Sequence, residues 1–399
     1  MAATDTILDN SIVDRMIELR RAIHQNPELS HEENATSALV RSELKAAGIG
    51  PIVEVAGTGL IVDIPGNSDG PTLAIRADLD ALPITEQTGL AFASRNDGVM
   101  HACGHDSHTA MVLAAALTLK NTPESFAGTA RIIFQPAEEA EPLGGRVVVA
   151  EGHLDSVNGV IGIHVDPLLA TGRIGVRAGA FSASSDELNI IVQGTSAHGA
   201  KPHEGVDGIV VAAALVSQLQ SVVSRSRNPA ELLVVTLGTI EGGTIRNILA
   251  DEVRLTGTIR TTSEDVRTMA HTRIRAIADG LALAYGATID IEINQGEPVL
   301  MNDAAMVELI NDAATDVGGP DCAFAAEPSS ASDDFAFYGQ VTPGVYFRLG
   351  VGNQAKGCYH PLHHPEFAID EDAMSLGAAV LVRATRRFLA NAQHYPTND

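Results

Sequence analysis

Between residues 183 and 295 the apolar spacing of the chain changes its rhythm. Glu187–Gln193 alternates apolar and polar residues, as a half-buried strand does. Residues 205–223 show helical spacing, 231–239 and 253–259 are strand-like, 263–285 predict a long helix, and 288–293 predict a last strand. The order βαββαβ is the ferredoxin-like arrangement, which closes on itself as a small domain. Both flanks read differently. Upstream, residues 11–25 and 32–47 predict helices, the first capped by Asn10 or Ser11. Residues 52–55, 60–64, 73–77, 131–134 and 160–164 predict strands, several so continuously apolar that burial on both faces is expected. Residues 105–119 form an Ala-rich helical stretch between them. Downstream of 296 the helix–strand alternation resumes, and 374–389 predict a closing helix. The expected fold is therefore α/β. A discontinuous main domain (1–182 and 296–399) has a mostly parallel sheet with helices, and a ferredoxin-like domain (183–295) is inserted in it.

Composition narrows the function classes. At 399 residues and 45% hydrophobic, the chain is too long for one ordinary core and too apolar for disorder. Three cysteines cannot staple it as a disulfide scaffold. No charge-free apolar stretch of about 18 residues is evident, so no membrane span is expected. The net charge of −24 argues against nucleic acid, whose phosphates demand a basic patch. Met1–Asp14 has acids where a secretion signal needs basic residues and an apolar run, so a reducing, cytoplasmic location is expected.

Five motifs carry chemistry. His101-Ala-Cys103-Gly-His105-Asp106-Ser-His108 concentrates metal-ligand types between a predicted strand and a helix, where α/β sites form. A nucleophilic Cys–His pair is the other functional reading of it. Glu138-Glu139 follow a buried strand, and adjacent carboxylates can divide the roles of ligand and base. His164 closes an apolar strand, where a histidine is more often a core residue than a ligand. His360, His363 and His364 lie within five residues braced by prolines, and spacing does not say which of them binds. Of Asp78 and Asp80, one can orient a ligand histidine from behind while the other is structural. His108 is expected to be structural, Cys322 and Cys358 inert thiols, and His24, His31, His153, His271 and His394 surface or capping residues. His203 is expected to brace a loop of the inserted domain or to touch the site.

Together with Arg20-Arg21…His24…Pro27-Glu28-Leu29-Ser30, Ser196-Ala-His198 and Leu362-His363-His364-Pro365, these motifs resemble the M20 metallopeptidase family, in its amidohydrolase branch. That branch holds hippurate hydrolase, N-acyl-amino-acid amidohydrolases and the plant enzymes that hydrolyse indole-acetyl amino acids. The resemblance implies two divalent metal ions per chain, zinc first, with manganese, cobalt or nickel compatible. It implies Cys103 as the ligand bridging both ions, His105 and His164 on one, and Glu139 and His363 on the other. Glu138 would be the general base and Asp80 the acid behind the ligands. His198 would stabilise the oxyanion across a homodimer formed by the inserted domain, and Asn247 and Arg260 would hold a substrate carboxylate. The implied activity is hydrolysis of an N-acyl or N-aroyl amino acid to a carboxylic acid and an amino acid. A dipeptidase, a carboxypeptidase, a deaminase of an aromatic amine, a thiol hydrolase using Cys103 and an inactive metal-binding relative are the alternatives. Here Asp333-Asp334-Phe335 replaces the family's Glu-Asp-Phe, and Asn247-Ile-Leu-Ala250 its Asn-x-Ile-Pro.

Overall fold

The computed structural model describes residues 7–390, so His394 lies outside them. In chain order, α1 (Asn10–His24), α2 (Asn34–Ala46), β1 (Ile52–Val55), β2 (Gly59–Pro65), β3 (Thr72–Asp78), α3 (His105–Asn121), β4 (Thr129–Gln135), α4 (Gly144–Ala150), β5 (Gly159–Ala170), β6 (Ile174–Val176) and β7 (Gly179–Ser182) come first. Next come β8 (Ser184–Gln193), α5 (Gly208–Ser221), β9 (Leu233–Gly242), β10 (Glu252–Thr261), α6 (Glu264–Tyr285) and β11 (Thr288–Gln295). The chain ends with β12 (Leu300–Asn302), α7 (Ala304–Gly318), β13 (Ala323–Ala325), β14 (Gly344–Gly352) and α8 (Met374–Ala390).

Two compact units result. The first comprises the chain up to Gly179, Met301–Glu327, and the chain from Asp334 onward. Its eight-stranded sheet runs β1-β2-β4-β3-β5-β14-β6-β13. The central strands β4, β3, β5 and β14 are parallel, while β1 and β2 form an antiparallel edge. Leu73, Ala74 and Ile75 of β3 are buried together, as a strand covered on both faces requires. α3 packs against α1 and α8 and is buried around its whole circumference over most of its length, which its small alanines permit. The cap of α1 is Asp9, not Asn10 or Ser11, because its carboxylate accepts the Ser11 N–H at 2.8 Å. The carboxyl ends of β3 and β4 deliver Asp78 and Glu138-Glu139, and the middle of β5 delivers His164.

The second unit is Ala180–Leu300 with Pro328–Asp333. Its sheet runs β11-β8-β10-β9, entirely antiparallel, the strand order of a ferredoxin-like fold. Segment 328–333 joins it through Ala183 N–H to Ala331 C=O and Ser329 N–H to Phe181 C=O, both 2.9 Å. Val211, Leu215 and Leu219 of α5 pack with Leu188, Ile190 and Val192 of β8 into a separate core. One helix bears on the expectation that no membrane span is present. Gly208–Ser226, which is α5 and the π-turn after it, is long and apolar enough by length and composition to cross a membrane. Its polar members are serine, glutamine and, near its end, Arg225, and its apolar side is part of the core of this unit.

Candidate metal centre

Four loops of the first unit converge. Gly104 caps α3 in the left-handed conformation (φ 86°), and a Cβ there would stand 2.4 Å from Val165 Cγ2. Only glycine lets this turn press onto β5. The result brings Cys103 Sγ to 3.4 Å from His164 Nε2. His164 Nδ1 meets the Val165 carbonyl at 2.7 Å, and a carbonyl can only accept, so the proton is on Nδ1 and the Nε2 lone pair faces Cys103. His105 is held the same way: Nδ1 donates to the Asp80 carbonyl at 2.9 Å and lies 3.3 Å from Asp80 Oδ1. Its Nε2 then stands 4.0 Å from Glu138 Oε2 and 4.0 Å from Glu139 Oε1. Ser30 Oγ donates to Asp80 Oδ2 (2.7 Å), and the Glu139 N–H donates to the same oxygen (2.9 Å).

The three rings of the histidine-rich turn take different places. His363 adopts φ 63° and donates its N–H to Ala102 C=O at 2.9 Å. Its ring is exposed but reaches the acidic pair, with Nε2 3.4 Å from Glu139 Oε1. His360 and His364 stack on each other, centroids 4.5 Å apart, and form a separate donor group with Glu366.

The donor atoms form overlapping groups: Cys103, His105 and His164; Cys103, Glu139 and His363; His105, Glu138 and Glu139. Within each group all atoms lie within 4.8 Å of one another. Two of them, His105 Nε2 and Glu139 Oε1, are buried without a hydrogen-bond partner. Buried polar atoms rarely stay unpaired, and thiolate, imidazole and carboxylate are the donors that hold zinc-class ions. The residues present, Cys103, His105, His164, Glu139 and His363, therefore fit divalent metal ions. Asp78, His105 and His108 also lie close, but His108 uses both nitrogens. Its Nδ1 is 2.7 Å from Asp78 Oδ1, and its Nε2 accepts the Val165 N–H at 2.9 Å.

Charge balance points the same way. Burial, reinforced by Glu139 and Glu138, pushes the Cys103 thiol well above its ordinary value. This disfavours a free nucleophilic thiolate. Burial alone would depress His105, but Asp78 and Asp80 carry it up to about 10. Burial and then His108 push His164 well below the usual imidazole range, leaving it neutral as a ligand must be. Four carboxylates, Asp78, Asp80, Glu138 and Glu139, lie within 4.0 Å of the His105 ring nitrogens.

Other expectations are corrected. His24 is not a surface residue: it is fully buried, with Nδ1 2.9 Å from Asp106 Oδ2, beneath the Cys103 loop. His271 is half-buried and pairs with Asp186 at 2.6 Å. His31 and His203 are exposed. In the second unit, His198 is exposed, and its Nδ1 accepts the Ala200 N–H at 3.0 Å. Gly199 N–H donates to the Asn247 carbonyl at 2.8 Å, so His198 and Asn247 lie on neighbouring segments. Half-buried Arg260 donates from Nη1 to Ser332 Oγ at 3.3 Å. Sequence reasoning missed Glu33, and it missed the buried junction in which Arg76 meets Gln135 and Asp334. The nearest signal for Glu33 was the N-terminal Pro27-Glu28-Leu29-Ser30 motif just before it.

An α/β unit with metal donors on and beside its parallel strands, interrupted by a ferredoxin-like unit, defines a metallohydrolase of the M20 type. The sequence pattern of "Peptidase family M20/M25/M40" matches residues 74–387, and the chain belongs to this family of hydrolases. It is 39% identical to an N-acetyl-L-cysteine deacetylase of Bacillus subtilis, over 98% of this chain and 92% of that one. It is 37% identical to thermostable carboxypeptidase 2 of Saccharolobus solfataricus, over 92% of this chain and 93% of that one. A solved dinuclear metal-binding M20 peptidase from Bacillus subtilis superimposes with a TM-score of 0.85 at 35% identity, covering 96% of this chain and 99% of that one.

Proposed function

We propose that this hydrolase is a binuclear metal-dependent amidohydrolase that cleaves N-acyl or N-aroyl amino acids to a carboxylic acid and a free amino acid. The observation that carries the reading is Cys103 shared between two donor groups, with Glu138 and Glu139 both 4.0 Å from His105. When bound, a pair of divalent ions supplies Lewis acidity to a carbonyl and lowers the pKa of a water. Cys103, His105, His164, Glu139 and His363 would hold that pair. Glu138, beside the ligands, takes the proton from the attacking water and returns it to the leaving nitrogen. Asp80 fixes the ring of His105 and the backbone of Glu139. We assign His198 of a second copy to the developing oxyanion, and Asn247 and Arg260 to the substrate carboxylate, which a guanidinium can grip with two parallel bonds.

The homodimer has its own support. β9 is an edge strand of the second sheet, and exposed edges invite pairing. Ile209, Val210, Ile240, Ile245 and Ile248 are all exposed in this unit, a set of apolar side chains that a second copy would cover.

Assaying a panel of N-acetyl, N-benzoyl and longer acyl amino acids after metal reconstitution tests the function. Turnover of at least one acyl series is expected, lost on chelation and regained on metal addition. The carboxypeptidase relative favours a second reading, release of a C-terminal amino acid from peptides. A higher kcat/KM for dipeptides than for every acyl amino acid would select it.

A further inference from the structure

The motif at the N-terminus has no part in the chemistry described so far, yet it touches the loops that carry the site. His24 meets Asp106 beneath the Cys103 loop, and Ser30 holds Asp80. Glu33 reaches the third loop. It precedes α2 but makes no side-chain cap to that helix. Its carboxylate is fully buried, and both oxygens are filled by donors from two other turns. Oε1 accepts the Ala137 N–H at 2.8 Å, and Oε2 accepts Thr58 Oγ1 at 2.6 Å.

Ala137 is the residue immediately before Glu138, and its φ is +50°. A non-glycine residue persists there only where its surroundings hold it. The Ala137 carbonyl also accepts the Gly144 N–H at 2.8 Å, so both of its peptide groups are tied. The Glu139 amide has its own tether at Asp80. The two halves of the acidic pair are thus positioned by different carboxylates.

We infer that Glu33 is a positioning residue for the general base: it pins the left-handed turn at Ala137 and so aims Glu138. This rests on the reading of Glu138 proposed above. Loss of the pin would let the turn relax to ordinary backbone and swing Glu138 away, while Glu139 stays anchored. A shift of about 1 Å in a reacting group can slow turnover about 100-fold.

The test uses the full chain, reconstituted with metal, on the acyl amino acid that it turns over best. Glu33→Ala should lower kcat by about 10- to 100-fold with KM changed less than about threefold and metal content unchanged. Glu33→Gln keeps an oxygen that accepts from Ala137 N–H and should restore most of the rate. If Glu33→Ala does not fold, Glu33→Asp, which keeps the charge but withdraws the oxygen, takes its place with the same expectation. A merely structural role is separated by a double-mutant cycle. In a Glu138→Asp background, loss of Glu33 should slow turnover less than about twofold further, because both changes act through one group. The inference is overturned if the Glu33 variants keep wild-type kcat, if Glu33→Gln is as slow as Glu33→Ala, or if the losses multiply in full. A Glu138→Gln variant with full turnover would overturn the proposed function as well. An inactive Glu138→Gln variant beside a wild-type-like Glu33→Ala or Glu33→Asp overturns only the role of Glu33.

Discussion

Replacing Arg76 by methionine should destabilise the first unit by about 3–5 kcal/mol. The guanidinium is wholly buried between two acids. Nη1 is 2.5 Å from Asp78 Oδ2, Nη2 is 2.7 Å from Asp334 Oδ1, and Nε donates to Gln135 Oε1 at 2.9 Å. Two charged hydrogen bonds at about 1.5–3 kcal/mol each and one neutral bond at about 1 kcal/mol would total about 4–7 kcal/mol. Asp334 keeps Gln135 Nε2 and the Gly145 N–H, and Asp78 keeps His108, which brings the expected loss down to about 3–5 kcal/mol. The pH dependence has a definite sign. Burial would raise Asp78, but His105, His108 and Arg76 hold it well below the usual carboxylate range. Its stabilising contribution is therefore present above the unfolded-state pKa and is lost as pH falls through the depressed folded value. Without Arg76 the Asp78 carboxyl rises, so the deficit of the variant is largest at neutral pH and shrinks on acidification. Urea unfolding followed by near-ultraviolet tyrosine dichroism reports on this unit, because buried Tyr338 and Tyr346 belong to it and the chain has no tryptophan. A loss under about 1 kcal/mol at pH 7, or a deficit that grows toward acid, would refute the reasoning.

Gly104→Ala should cost about 2–4 kcal/mol and lower metal affinity, since the new Cβ would stand 2.4 Å from Val165 Cγ2 at a left-handed φ. Urea unfolding and metal titration check it, and an unchanged pair of values would contradict the described turn. Cys103→Ser should lower metal content at both sites, as measured by elemental analysis. Two ions retained per chain would exclude the bridging role. Ile240→Lys on β9 should shift the protein toward monomer in analytical ultracentrifugation without unfolding it, and a dimer of unchanged affinity would place the interface elsewhere.

The sequence was most informative where one local period decides the structure. In β8 the apolar residues Leu188, Ile190 and Val192 are all buried, so alternation alone located a strand of the inserted unit. The Cys103 loop was legible because its ligand types crowd into eight residues. Long-range pairing left no such trace. His24 is buried because Asp106, 82 residues away, receives it, and Arg76 finds Asp334 across 258 residues. No spacing rule separates His363 from its neighbours; only the folded chain brings its Nε2 to 3.4 Å from Glu139, while His360 and His364 group with Glu366. The apolar reach of Gly208–Ser226 was concealed by the serines and glutamines that interrupt it and by Arg225 near its end.

The central claim is that Glu138 moves the proton at a metal centre built on Cys103. It is tested most directly by the kcat/KM of a Glu138→Gln variant for an acyl amino acid, measured at metal content equal to the wild type. The account predicts a fall of about 100- to 10,000-fold. A variant that binds the same metal and turns over within about tenfold of the wild type would contradict it.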